Sequence, residues 1–199
     1  ADNLPGAVMG IETDVTRPEA VEAMIARTVE THGRLDAVVA NAGAFAEHTP
    51  FHETSLDDWM RVLAVNLTGV FITLRAGAKV LVEQGEGGSL LATGSSTAVR
   101  PITGFMPYVA SKGGVHQMMR ALAIELAEHR IRVNTIVPGL TRTPATAGPG
   151  YIERGVQSVP MNAVVEPDEI AALVAFALSD EAPHMTGTLL KVDGGRTSA

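Results

Sequence analysis

The sequence contains no cysteine, which excludes a disulfide framework, a thiolate zinc site and a cysteine nucleophile. That absence fits a reducing compartment, and a cytoplasmic location is expected. Lysine and arginine form no runs and the formal net charge is −7, so the chain lacks the basic stripe used against nucleic acid or an anionic membrane surface. Neither partner is expected. Apolar runs such as IAALVAFAL (170–178) fall short of the ~20 residues needed to cross a bilayer, and the chain reads as soluble. The first residue is Ala1 rather than methionine, and an upstream segment is expected.

What is present suffices for one sizeable core: 199 residues, 46% of them hydrophobic, are expected to form a single domain over 1–199. Apolar runs bounded by turn residues alternate with longer helical patterns, the signature of strand–helix units around a parallel sheet with helices on both faces. AVMGIETDV (7–15) reads as the first strand, and Thr16 and Glu19 have capping-box spacing, predicting a helix from about Arg17 to Thr31. Gly33 is placed to end it. LDAVVANAG (35–43) reads as a buried strand entering a ligand-facing loop. Residues 54–84 predict one long helix, with room for a bend, capped by Thr54 or Ser55. GGSLLATGSS (87–96) is the next strand. A helix over about 107–129 places Val115, Met118, Met119, Leu122 and Leu126 on one face, and IRVNTIVPG (131–139) follows as a strand. The glycine- and proline-broken stretch 140–167 is long for a connection and predicts a substrate-binding loop or lid. PDEIAALVAFALSD (167–180) reads as a helix and GTLLKVDGG (187–195) as the last strand.

Chemistry concentrates in YVASKGG (108–114). A tyrosine with its ordinary pKa of about 10 is a poor acid or base near neutrality, and a cation one turn away lowers that value. Lys112 stands one turn from Tyr108. Ser95 and Ser96 end a strand at the carboxyl edge, where open parallel sheets bind ligands. By themselves these residues also fit a surface pair and a turn cap.

The motifs ANAG, VNLTGVF, GSS, YVASK, RVNTIVPG and TGTLLKVDGG occur in the order and approximate spacing of the short-chain dehydrogenase/reductase family, and the chain resembles that family along essentially its whole length. The resemblance implies a Rossmann-like doubly wound sheet and an NAD(P)-dependent interconversion of a secondary alcohol and a ketone. It implies that Tyr108 is the general acid/base, that Lys112 lowers its pKa and binds the nicotinamide ribose, and that Asn66 supports a proton relay. Ser95, thirteen positions before the tyrosine, is the implied substrate anchor, with Ser96 as fallback. Asp14, Val15, Asn41, Ala42 and Gly43 are similar to contacts on the adenosine side of the cofactor, and Pro138, Gly139, Thr141 and Thr143 to those near nicotinamide and pyrophosphate. A homo-oligomer, tetramer or dimer, is implied as well.

The family's glycine-rich phosphate loop has no counterpart in the sequence, so the first strand, first helix and second strand, roughly 50 residues, are expected to be missing. Removing them takes the neighbours from AVMGIETDV, exposes an edge of LDAVVANAG and removes the main determinant of NAD against NADP. A non-catalytic scaffold unable to bind cofactor is the alternative reading. His48 and His52 have the spacing of a metal pair, but Pro50 between them argues against a regular helix, and no metal site is expected. His116 and His129 are assigned to helix surfaces or ends, and Phe105, Met106, Leu140, Tyr151 and Met161 to a partly apolar substrate pocket. Arg142 and Arg154 read as surface residues, with contact to an anionic substrate as the alternative.

Overall fold

The computed structural model describes residues 8–148 and 150–199. Four strands, β1 (Ala37–Ala40), β2 (Gly88–Thr93), β3 (Ile131–Pro138) and β4 (Leu189–Val192), form one parallel sheet in the order β1-β2-β3-β4. Val39 pairs with Leu91, Leu91 with Asn134 and Ile136 with Leu190. The central strands are buried along nearly their whole length, polar Ser89, Asn134 and Thr135 included, because both of their faces are covered. Side chains alternate between faces: Leu90 and Val133 enter the larger core, under α1 (Pro18–His32), α3 (Val70–Gln84) and α4 (Met106–Glu125), while Leu91 and Ile136 pack against α6 (Pro167–Leu178).

The first expected strand is not formed over its described part; Ala7 lies outside the described residues. Residues 8–13 have no ladder, because among the described residues no strand lies beside them to take up their N–H and C=O groups. The capping box also fails. Thr16 turns its N–H and Oγ back onto Asp14 Oδ1 (2.9 and 2.7 Å), and Glu19 accepts from Arg17 Nε (2.8 Å). Arg17 occupies the cap position without a side-chain bond, and Gly33, at φ 81°, ends α1.

The long helix is bent by its hydrogen bonding rather than broken. Ser55 Oγ caps α2 (Leu56–Leu63) by accepting from Asp58 N (3.0 Å), and a π-helical turn over Ala64–Gly69 joins it to α3. Together Leu56–Gln84 is long and apolar enough to cross a bilayer, against the expectation drawn from unbroken runs. Half of that apolar stretch is buried inside the protein, against α1, β1 and α4.

The 140–167 stretch is closed at its base. Val165 N donates to Leu140 O (2.8 Å) and Arg142 N to Val165 O (3.0 Å), so the excursion, which carries α5 (Tyr151–Val156), leaves and returns at one point.

Candidate active site

Tyr108, Lys112 and His116 occupy successive turns of α4, four residues apart and therefore on one face. Lys112 is buried, and its Nζ donates to Thr93 O (2.6 Å) at the end of β2. Burial holds its pKa down at about 8. The Tyr108 phenol stands above its ordinary value, chiefly through burial; the Ser95 hydroxyl acts in the opposite direction and Tyr151 adds to the rise. The expected lowering by Lys112 is therefore not what this arrangement produces. The ammonium is directed at Thr93 O and lies 5.8 Å from the centroid of the tyrosine ring. Phe45, from the loop after β1, stacks on that ring at 5.0 Å with an 8° interplanar angle.

Past Thr93, Gly94 N still donates to Ile136 O of β3 (2.8 Å), and Ser95 takes extended backbone angles as the cap of a short 3-10 turn, Ser96–Ala98. Its Oγ accepts from Thr97 N (3.1 Å) and lies 2.9 Å from Thr97 Oγ1. Ser96 points elsewhere: its Oγ accepts from Arg196 Nη1 (3.0 Å). Between the two serines, it is the Ser95 hydroxyl that acts on the phenol.

His116 corrects the sequence reading. It is only 8% exposed, and its Nε2 accepts from Ser95 N (3.3 Å). Burial and then the Lys112 charge lower its pKa to about 4. The signal was available, since the stripe through 108 and 112 reaches 116 at the next step.

Asn66 sits in the π-helical turn, fully buried. Its Oδ1 accepts from Ala44 N (2.7 Å), while its Nδ2 donates to Ala44 O (2.8 Å) and to Ser111 Oγ (3.3 Å). Ser111 Oγ in turn donates to Tyr108 O (2.7 Å). One amide thus ties the loop after β1 to the first turns of α4.

The residues matched to a nucleotide lie in two groups. Val15, Asn41 and Ala42 line a mostly apolar cavity of about 150 Å³ with Val65, Val70 and Thr73, and Asn41 Oδ1 accepts from Thr93 Oγ1 (2.8 Å). Gly43 adjoins Asn66 Oδ1. Asp14 is exposed, and hydrogen bonds from the Thr16 hydroxyl and N–H hold its carboxyl below the usual range. Pro138 ends β3. A Cβ on Gly139 would come within 2.6 Å of Asp193 Cα, so the approach of the Asp193 turn demands glycine there. Thr141 Oγ1 donates to Gly139 O (3.2 Å), and Thr143 N donates to Thr146 Oγ1 (2.9 Å). Thr143 and Thr146 border a second cavity of about 380 Å³ with Arg142 and Ile152.

An apolar slot and a buried ammonium with N–H donors to spare fit the base and a ribose of a dinucleotide. Among the described residues no glycine-rich strand-to-helix loop offers N–H groups to its pyrophosphate. Of the expected pocket walls, Phe105 packs edge-on against His48 (5.3 Å) and Leu140 lies against Gly155. Tyr151 starts α5, while Met106 and Met161 are exposed.

Comparison with known proteins gives a match to the family model described as enoyl-(acyl carrier protein) reductase over residues 1–197. The chain is 35% identical to glucose 1-dehydrogenase 2 of Bacillus subtilis, covering 96% of this chain and 76% of that protein. It is 36% identical to 3beta-hydroxysteroid dehydrogenase 1 of Eggerthella lenta, covering 96% and 75%. The crystal structure of 3-ketoacyl-(acyl-carrier-protein) reductase from Brucella melitensis complexed with NADH superposes with a TM-score of 0.90 at 30% identity, over 94% of this chain and 78% of that one.

Proposed function

Because the chain belongs to the short-chain dehydrogenase/reductase family, a family of oxidoreductases, we propose that it interconverts a secondary alcohol and a ketone with NAD or NADP, Tyr108 moving the proton at the substrate oxygen. The nicotinamide cofactor, when bound, supplies or takes up the hydride. Val15, Asn41, Ala42 and Gly43, with Asp14, hold its adenosine side; Lys112 binds the nicotinamide ribose; Pro138, Gly139, Thr141 and Thr143 flank the nicotinamide end.

The Ser95 hydroxyl orients the substrate oxygen. The half-buried Tyr108 phenol is neutral near pH 7, because its raised pKa keeps the proton on it, and is ready to donate in the direction of ketone reduction. In the direction of alcohol oxidation the phenolate is needed, and the protonated Lys112 favours it once substrate and cofactor fill the site. Asn66 keeps the loop after β1 and the start of α4 in register. The 140–167 excursion, with Tyr151, covers the substrate. Exposed Phe71, Ile124 and Phe176 give apolar surface for assembly into a homo-oligomer.

The observation that carries this reading is the placement of the Tyr108 ring 5.8 Å from the buried Lys112 Nζ on one face of α4, beside the end of β2 that Lys112 holds through Thr93 O. Its test is Tyr108→Phe, assayed with NAD and NADP against glucose and a 3β-hydroxysteroid as probe alcohols. Turnover should fall by about 10²–10⁴-fold with an unchanged circular dichroism spectrum. Turnover retained in the variant would remove Tyr108 from the mechanism.

A further inference from the structure

The face of α4 that carries Tyr108 and Lys112 ends on His116, a buried imidazole that the proposed reaction does not use. Its position is defined from several sides. Gly94 N makes the last bond of the β2 edge with Ile136 O (2.8 Å), and the next N–H, that of Ser95, goes to the His116 ring (3.3 Å). A buried N–H without an acceptor is costly, and Nε2 fills that need. Any Cβ on Gly94 would collide with His116 Nε2 and would come within 2.8 Å of Thr135 Cγ2. The ring therefore occupies the space a side chain at 94 would take, wedged behind the peptide that precedes the Ser95 hydroxyl.

Only a neutral imidazole can do this, since the accepting nitrogen must carry no proton; Nδ1 then holds it. Burial and the neighbouring Lys112 charge keep the ring neutral down to about pH 4. Lys112 is the charged group facing it from its own helix. Gly94, Ser95 and Thr135, from β2's exit and β3, bring no titratable side chain.

We propose that His116 is a positioning residue: by accepting from the Ser95 N–H it fixes the peptide that aims the Ser95 hydroxyl at the substrate oxygen. The proposal rests on the reading of Ser95 as substrate anchor. It gives the imidazole a structural duty set by its acceptor nitrogen, with no proton transfer of its own.

The contact is tested on the free, full chain by nuclear magnetic resonance. A scalar coupling across the hydrogen bond between the Ser95 amide and His116 Nε2 is expected, and the Ser95 amide should exchange about tenfold faster or more in His116→Leu. His116→Gln, whose amide oxygen reaches a similar place, should restore slow exchange. It also keeps the question answerable should the leucine variant fold poorly. No coupling, together with unchanged Ser95 exchange in both variants, overturns the contact.

The role is tested by turnover of the same two probe alcohols. His116→Leu should lower kcat by about tenfold or more with little change in cofactor affinity, and Ser95→Ala should cost far less in the His116→Leu background than in the wild type. Independent, multiplying losses overturn the role. If Ser95→Ala and Tyr108→Phe leave turnover unchanged in the wild-type background, the oxidoreductase reading of the site has failed. If they abolish turnover and His116→Leu does not, the failure is that of His116.

Discussion

Lys112 carries its charge where charge is disfavoured, and that disfavour has a measurable size. Its pKa falls from the ordinary 10.5 to about 8 in the folded chain, a gap worth about 3 kcal/mol at ~1.4 kcal/mol per pH unit. Below pH 8 the lysine is protonated in both folded and unfolded chains, so the whole penalty is present. Between 8 and 10.5 the folded chain releases the proton first, and stability rises with pH. From about pH 7 to about pH 9.5 the gain attributable to this one group is about 2 kcal/mol.

Lys112→Met, of similar length and without a titrating proton, isolates the effect. The variant leaves Thr93 O without its donor, at a cost of about 1–3 kcal/mol that does not change with pH. Urea unfolding of both proteins at the two pH values should therefore show the wild type gaining about 2 kcal/mol on the variant as the solution is made alkaline. Parallel pH profiles would refute the reasoning, and with it the claim that this ammonium is held at a desolvation cost.

Asn66→Ala strips both backbone groups of Ala44 of their partner and should destabilise the chain by about 2–4 kcal/mol in chemical denaturation; a loss under ~0.5 kcal/mol would mean that the loop finds other partners. Phe45→Ala uncovers the Tyr108 ring. Since burial is the main cause of the raised phenol pKa, the variant should titrate closer to 10, read from tyrosinate absorbance against a Tyr108→Phe reference, and an unmoved titration would place the desolvation elsewhere.

Much of this was legible in the sequence where one residue pattern had one physical outcome. The short β-rich runs of 88–93 and 131–138, bounded by glycine and proline, read as strands and are covered on both sides, and the glycine at 33 ends a helix because of its positive φ. What failed to read was relational. AVMGIETDV has the composition of a strand, but a ladder needs a neighbour. Thr16 and Glu19 have the spacing of a cap, but Asp14, two residues before Thr16, offers the closer acceptor. The histidine at 116 looked like one more polar residue on a helix, because nothing local reveals that Gly94 leaves a hole for its ring. Phe45 was missed for the same reason, its stack on Tyr108 depending on where the loop after β1 meets the first turn of α4. Tyr108 and Lys112 share one face of α4, and Asn66 reaches its first turns through Ser111; the phenol's pKa is raised chiefly by burial, which no spacing encodes.

The π-helical turn at Ala64–Gly69 bears on how the gene can change. An α-helix advances about 100° per residue, so the wider turn offsets the faces of α2 and α3 relative to a continuous rod, letting one side meet α4 and the other the sheet. Insertions of whole codons in exposed loops merely lengthen them. A single codon gained or lost between 64 and 69 would swing one flank by about 100°, taking Asn66 from Ala44 or α3 from β1. That short interval is where this chain should tolerate substitution better than any change of length.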